Sequence, residues 1–270
     1  MFKINDVPVL VERYPDETPR LNISMDTVDT DEATIEWLYG KDEEMILLFI
    51  AKHLREHYSI KTLTLYMPYI PHARMDRVKN QKEVFTLKYF CEFVNSLRFD
   101  KVIVRDAHSN VSLALLDNIA SENVGANIEG IIGKLLDPQK DIVFYPDEGS
   151  CKRYSELISF PCAFGVKKRD WNTGKIIGLD VHGDLPAPLF NALIIDDISS
   201  YGGTFLHSAK KLKELGADKV YLYVTHCENS ILKGELIDSG LLEKIYTTKS
   251  LFSGEHPLIE VVGGAGDEQY

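Results

Sequence analysis

Cysteine is scarce in this 270-residue sequence: only Cys91, Cys151, Cys162 and Cys227 occur. No two of them form a Cys-x-x-Cys pair, so neither a disulfide framework nor a structural zinc site is expected, and reduced thiols in a cytoplasmic protein are. Long apolar runs are missing as well. The longest strongly apolar stretch, 45–51, falls far short of the ~20 residues that cross a bilayer. The first residues, Met-Phe-Lys-Ile-Asn-Asp, lack the apolar core of a secretory signal. Bases are outnumbered by acids, 30 to 41, for a formal net charge of -11. That balance argues against duplex nucleic acid as a partner. Neither short-period repeats nor low-complexity segments interrupt the chain.

What is present is the composition of a globular protein, 44% hydrophobic and 26% charged, with the length of two ordinary domains. The charge is unevenly distributed. Residues 1–60 hold 13 acids and 6 bases, a net of -7, whereas residues 61–120 hold 6 acids and 9 bases, a net of +3. A basic stretch inside an acidic chain suits a pocket for a small anion.

Hydrophobic patterning alternates β-branched runs with helical ones. Residues 41–58 read as a helix capped by Asp42, with Ile46, Phe49, Ile50, His53 and Leu54 on one face. Residues 62–67 read as a strand, and 84–97 as a helix with the stripe Leu87, Phe90, Cys91, Val94 and Leu97. Strands follow at 101–104, 142–145, 192–195 and 220–224. The last three are continuously apolar, as in parallel strands covered on both faces. A helix at 204–215, stopped by Gly216, joins the last two. This grammar predicts an α/β fold with parallel sheets. Gly125, Gly130, Gly133 and Pro138 mark 121–140 as the junction, giving expected domains 1–138 and 139–270.

The sharpest local signal is Ala192-Leu-Ile-Ile-Asp-Asp-Ile-Ser-Ser-Tyr-Gly-Gly-Thr204. A buried strand ends in two acids, passes through a loop and opens a helix. Ligands of open α/β sheets bind at the carboxyl ends of strands. Helix-opening N–H groups cradle phosphate. Asp196 and Asp197 suit vicinal sugar hydroxyls or a Mg²⁺ ion, so the combination describes a site for a ribose 5-phosphate.

The segment Asp-Asp-x-x-x-x-Gly-Gly-Thr resembles the ribose-phosphate loop of type I phosphoribosyltransferases. Other segments narrow the resemblance to the ribose-phosphate diphosphokinases. Met67-Pro-Tyr-Ile-Pro-His-Ala-Arg-Met-Asp-Arg77 is similar to that family's ATP segment. Arg105-Asp-Ala-His108 resembles its Asp-Leu-His motif, and Tyr145-Pro-Asp-Glu-Gly149 its Pro-Asp-x-Gly motif. Lys167-Lys-Arg169 resembles the Lys-x-Arg of its catalytic loop, and 219–226 the strand after the ribose-phosphate helix. These segments run in the family's order from about Tyr14 to Thr248.

The resemblance implies two phosphoribosyltransferase-like domains, each a central parallel sheet flanked by helices, with ATP and the ribose phosphate bound between them. It further implies Mg²⁺ as cofactor and a homo-oligomer in which neighbouring subunits complete each other's sites. By the same resemblance, Lys167 and Arg169 are catalytic. Arg74, Met75, Asp76, Arg77, His108, Tyr14 and Asp16 bind ATP. Asp196, Asp197, Ser199, Ser200, Tyr201, Gly202, Gly203 and Thr204 hold the ribose phosphate, and Asp147 and His108 contact the metal. Asp147 is the better ligand chemically, because Mg²⁺ favours oxygen. The remaining histidines, 53, 57, 72, 182, 207, 226 and 256, show no ligand spacing and are read as structural or surface groups.

Departures from the family pattern bear on the acceptor. Ser200 and Tyr201 replace an Asp-Thr pair, which puts a bulky ring where a terminal phosphate should nest. The ring must rotate outward or pack against something larger. Met75 replaces a Gln. The family's N-terminal Phe-x-Asp-Gly-Glu element survives only as Tyr14-Pro-Asp16-Glu-Thr18, in which Tyr14 retains the capacity to stack on adenine. The family's C-terminal helix is missing, and the closing Gly263-Gly-Ala-Gly-Asp-Glu-Gln-Tyr270 is expected to be flexible. Three functions fit: transfer to ribose 5-phosphate, transfer to a larger derivative such as ADP-ribose, or a non-catalytic regulatory homologue. A phosphoribosyltransferase that consumes the product would leave the Ala-Arg-Met-Asp-Arg and Asp-Ala-His segments without a role.

Overall fold

In a computed structural model, residues 1–24, 31–58, 60–169 and 176–263 are described, without the side chains of 167–169 and 176–177. The chain forms two compact units, Met1–Asn123 and Val124–Tyr270.

The first unit is a six-stranded sheet in the order β2-β1-β5-β6-β7-β8, with a separate hairpin β3-β4. Its strands are β1 (Phe2–Ile4), β2 (Val7–Pro8), β3 (Leu10–Arg13), β4 (Pro19–Asn22), β5 (Glu32–Trp37), β6 (Thr62–Met67), β7 (Lys101–Arg105) and β8 (Ile119–Glu122). β5 to β8 run parallel, while β1 and β2 add an antiparallel edge. Helices α1 (Glu44–His57) and α2 (Thr86–Ser96) fill the crossovers, and a short α3 (Asn110–Leu115) precedes β8. The predicted stripe of α2 is buried throughout, from Leu87 to Leu97.

Helix α1 corrects the sequence reading twice. Asp42 does not cap it, because Asp42 adopts a left-handed φ of 60° and the helix starts after Glu43. The Glu43 carboxylate is already engaged by the N-terminal ammonium (2.9 Å), the Trp37 indole N–H (2.9 Å) and the Gly40 N–H (3.0 Å). Its buried face is Ile46, Leu47, Ile50, Ala51 and Leu54, whereas Phe49 is 42% exposed.

The second unit is a seven-stranded sheet in the order β11-β10-β9-β12-β13-β14-β15, parallel except for the β10-β11 pair. It comprises α4 (Gly125–Leu135), β9 (Ile142–Tyr145), α5 (Glu148–Tyr154), β10 (Cys162–Arg169), β11 (Ile176–Gly183), β12 (Phe190–Ser199), α6 (Gly203–Glu214), β13 (Ala217–Cys227), α7 (Glu235–Asp238), β14 (Lys244–Thr247) and β15 (Ile259–Val261). Alternation along the strands sorts residues between two cores. Ile142, Phe144, Ala192, Ile194, Val220 and Leu222 pack with Phe205, Leu206, Ala209 and Leu212 of α6. Val143, Tyr145, Leu193, Ile195 and Tyr223 pack instead with Ile128, Ile131 and Ile132 of α4 and Tyr154 of α5. Helices on both faces are what the continuously apolar strands call for.

The contact boundary therefore lies after Asn123 rather than after residue 138. The stretch 121–140 expected as the junction is largely α4, Gly125–Leu135. Gly130 and Gly133 sit on its exposed side, where an added Cβ would meet nothing within 4 Å.

Among the described residues, no helix is long and apolar enough to cross a membrane. The four cysteines are free thiols. Burial pushes the Cys91 thiol up to about 11 and that of Cys227 up to about 12, so both stay protonated and inert near neutrality.

Candidate active site

In the first unit, β6 and β7 are parallel neighbours, pairing Met67 with Val104. The ATP-like segment leaves the carboxyl end of β6, and Asp106-Ala107-His108 leaves the carboxyl end of β7, so both emerge on one edge of the sheet. The Arg105 N–H donates to the Pro68 carbonyl at 3.1 Å and ties the two exits together. Both carry a non-glycine residue with positive φ, His72 at 63° and Asp106 at 44°. Such strain is sustained only where the surroundings over-determine the backbone. Arg74 and Arg77 are exposed, while Met75, Asp76 and His108 are half-buried. Asp76 makes a long contact to Arg77, at 3.9 Å.

Beneath that edge lies a buried network that the sequence did not reveal. Arg105 donates to both oxygens of Glu122, at 2.9 and 2.5 Å, and to the Tyr66 hydroxyl at 2.9 Å. The Tyr66 hydroxyl in turn donates to Glu122 at 3.0 Å. Three adjacent strands are thereby locked at their carboxyl ends.

Tyr14 and Asp16 lie elsewhere in this unit, in the exposed turn of the β3-β4 hairpin. The hydroxyl and backbone N–H of Thr18 hold the Asp16 carboxyl below its ordinary value.

In the second unit, Asp147 follows the end of β9, and Asp196 and Asp197 lie near the end of the neighbouring parallel strand β12, which runs on to Ser199. Asp147 caps α5 in a capping box, accepting from the Ser150 N–H at 3.1 Å. Adjacent strand positions face opposite ways. Asp196 accordingly continues the α6 face, and Asp197 the α4–α5 face, where its carboxylate pairs with Arg153 at 3.0 Å. Arg153 escaped the sequence reading because its partner lies on a different element. Burial, followed by the charges of Asp197 and Asp147, holds the Asp196 carboxyl well above the ordinary carboxylate range.

The loop after β12 then turns into α6. Ser199 is buried, and Gly202 has a φ of 80° at the N-cap, supplying no side-chain acceptor for the first helical N–H groups. Those amides open a 12-residue helix toward the loop. The loop is braced from behind. A Cβ on Gly234 would lie 1.9 Å from the Tyr201 carbonyl oxygen, and one on Gly202 would lie 2.7 Å from Leu236. Tyr201 is 60% exposed.

Lys167 and Arg169 belong to strand β10, and their side chains are outside the described residues, as is the closing segment 264–270. His226 is buried and shares a 2.8 Å hydrogen bond with the Ser250 hydroxyl, a structural role as read. His53 and His57 depart from the reading of the remaining histidines, because a spacing of four on α1 brings their ring centroids within 4.6 Å.

Oxygen donors of the Asp147–Asp196 kind fit a hard cation such as Mg²⁺. Among the described residues, no three His, Cys, Asp or Glu side chains are grouped to hold a metal on their own. Mg²⁺ ordinarily takes one or two carboxylates and completes its shell with water and phosphate oxygens.

Two α/β units, each with polar segments gathered at the carboxyl edge of a parallel sheet, define the class. The fold is that of phosphoribosylpyrophosphate synthetase: the chain superposes on the Mycobacterium smegmatis enzyme with a TM-score of 0.74 at 20% identity, covering 96% of this chain and 87% of that one. Curated relatives carry the corresponding name. The chain is 28% identical over 225 residues to ribose-phosphate pyrophosphokinase 2, chloroplastic, of Oryza sativa, covering 80% of itself and 54% of that protein. It is 27% identical to the ribose-phosphate pyrophosphokinase of Hyphomonas neptunium, covering 82% and 71%. It is 28% identical to that of Pyrococcus abyssi, covering 70% and 65%. Across such relatives the chain spans between 53% and 77% of their length. No protein-family model matches it.

Proposed function

We propose that this protein is a ribose-phosphate diphosphokinase, transferring the β,γ-diphosphoryl group of Mg-ATP to the anomeric hydroxyl of ribose 5-phosphate. The products are phosphoribosyl pyrophosphate and AMP. The observation that carries the reading is the end of β12, where two acids lead through a braced loop into the uncapped start of α6.

In this reading the amides at 202–204, with the hydroxyls of Ser199, Ser200 and Thr204, take the 5-phosphate. Asp196 faces the ribose diol, and Asp197, on the opposite side of the strand, is held by Arg153. Arg74 and Arg77 pair with ATP phosphates, supported by Met75, Asp76 and His108. Asp147 and Asp196 are the carboxylates that would hold Mg²⁺, which when bound neutralises phosphate charge; His108 is a secondary contact. The anomeric oxygen attacks the β-phosphorus, the bond to the α-phosphate oxygen breaks, and AMP departs with that oxygen. Lys167 and Arg169 offset the charge that develops in this in-line transfer. The exposed turn at 14–18 is the element that would reach a neighbouring copy in a homo-oligomer, with Tyr14 stacking on adenine and Asp16 beside it.

A second acceptor is favoured by one observation, the exposed Tyr201 ring at the mouth of the loop. A ring there suits stacking against an extension of the 5-phosphate, as in ADP-ribose. Incubation with Mg-ATP and either acceptor, followed by quantification of AMP, tests both readings. Acceptor-dependent AMP release supports a diphosphokinase, and dependence on ADP-ribose alone selects the larger acceptor. AMP from neither acceptor overturns the enzymatic reading in favour of a regulatory homologue.

Gly234→Ala provides a separate check on the loop. Its Cβ forces the Tyr201 carbonyl to move, so KM for the acceptor is expected to rise about tenfold to a hundredfold while KM for ATP is unchanged. Steady-state kinetics with each substrate varied would read this split.

A further inference from the structure

Helix α1 carries His53 and His57 one turn apart, with ring centroids separated by 4.6 Å and planes inclined at 41°. None of the segments assigned to ATP or the ribose phosphate lies on this helix. Two imidazoles bound to one ion at about 2.1 Å have their centroids about 4.6 Å apart for a right-angled N–metal–N arrangement and about 5.3 Å apart for a tetrahedral one. The observed spacing matches the first value. A histidine pair at i and i+4 is also how a helix presents two zinc ligands on one face.

The pair is braced on one side and open on the other. The His53 ring meets the edge of Tyr58 at 5.6 Å, and the Tyr58 hydroxyl donates to the Ile23 carbonyl at 3.0 Å, fixing the ring that backs His53. His57 is exposed and His53 half-buried, so an ion can enter from solvent and retain water in its remaining positions.

We infer that His53 and His57 form a bidentate site for a borderline divalent transition ion of the Ni²⁺, Cu²⁺ and Zn²⁺ class. Imidazole nitrogen suits these ions and not Mg²⁺, so the site is chemically distinct from the carboxylates of the second unit. Among the class, Cu²⁺ binds most strongly by the general order of divalent affinities. The inference is independent of the diphosphokinase reading.

The test is direct metal binding to the full chain, freed of metal and kept in Mg²⁺ buffer. Ni²⁺ and Zn²⁺ are titrated calorimetrically, and the Cu²⁺ complex is examined by electron paramagnetic resonance. One ion per chain is expected, with coupling to two nitrogens, and with affinity reduced by about tenfold or more in either His53→Gln or His57→Gln. A Cys151→Ser/Cys162→Ser variant separates thiol binding from this site and should retain the two-nitrogen signal. Both histidines lie toward solvent, so circular dichroism of the glutamine variants is expected to match the parent. Equal affinity in the His53→Gln/His57→Gln double variant, or loss of the signal in the cysteine variant alone, overturns the inference.

Discussion

Alanine in place of Lys167 or Arg169 is expected to lower AMP release by about 10²- to 10³-fold, the usual cost of removing one donor that stabilises transition-state charge. In the proposed reaction the transferred diphosphoryl group is densely anionic and needs cations beside it. Three bases occur together at 167–169, at the end of a strand whose antiparallel pairing with β11 shifts register between Lys168 and Arg169. KM values should change less than kcat, because the charge to be offset is greatest in transfer. Circular dichroism of the variants should match the parent. Near-parental turnover in either variant would remove that residue from catalysis, and comparable losses in KM alone would make it a binding residue.

Glu122→Ala is expected to destabilise the first unit by about 3–5 kcal/mol, since it strands the Arg105 guanidinium where 93% of the side chain is shielded from water. A typical domain has only about 5–15 kcal/mol of stability in total, so the variant approaches unfolding at physiological temperature. Urea denaturation followed by Trp37 fluorescence is a suitable probe, because Trp37 lies in the core of this unit. Arg105→Met combined with Glu122→Leu removes both charges and should recover most of the loss. If Glu122→Ala melts like the parent, the network does not secure the three strands. If the double variant stays as unstable as the single one, the uncompensated charge is not the cause.

Much of the fold was legible because burial follows period. The stripe of α2, the continuously apolar strands of the second unit and the stop at Gly216, whose φ is 98°, all stand where the pattern placed them. Legibility failed where a residue's role is set by a partner distant in the chain. Asp42 looked like a cap only while the Glu43 network with Met1 and Trp37 was unseen. The glycines at 125, 130 and 133 marked a junction in the sequence, whereas they stand in α4, whose buried face includes Ile128, Ile131 and Ile132. In the candidate site, the double acid and the glycine turn were readable as a local string, whereas Arg153 is 44 positions from Asp197 (197 − 153 = 44) and became visible only in three dimensions. His53 was read as part of the apolar stripe of a helix over 41–58, and its neighbourhood with His57 emerged only from the ring positions on α1.

The bracing of the loop behind Tyr201 has a consequence for how acceptor preference can diversify. With the carbonyl of residue 201 lodged against Gly234 and the next residue against Leu236, the main chain there is fixed independently of the Tyr201 side chain. In the proposed reaction, side chains exchanged at that single position would therefore meet the acceptor on an unchanged backbone, which makes it a compact target for a one-site mutant library.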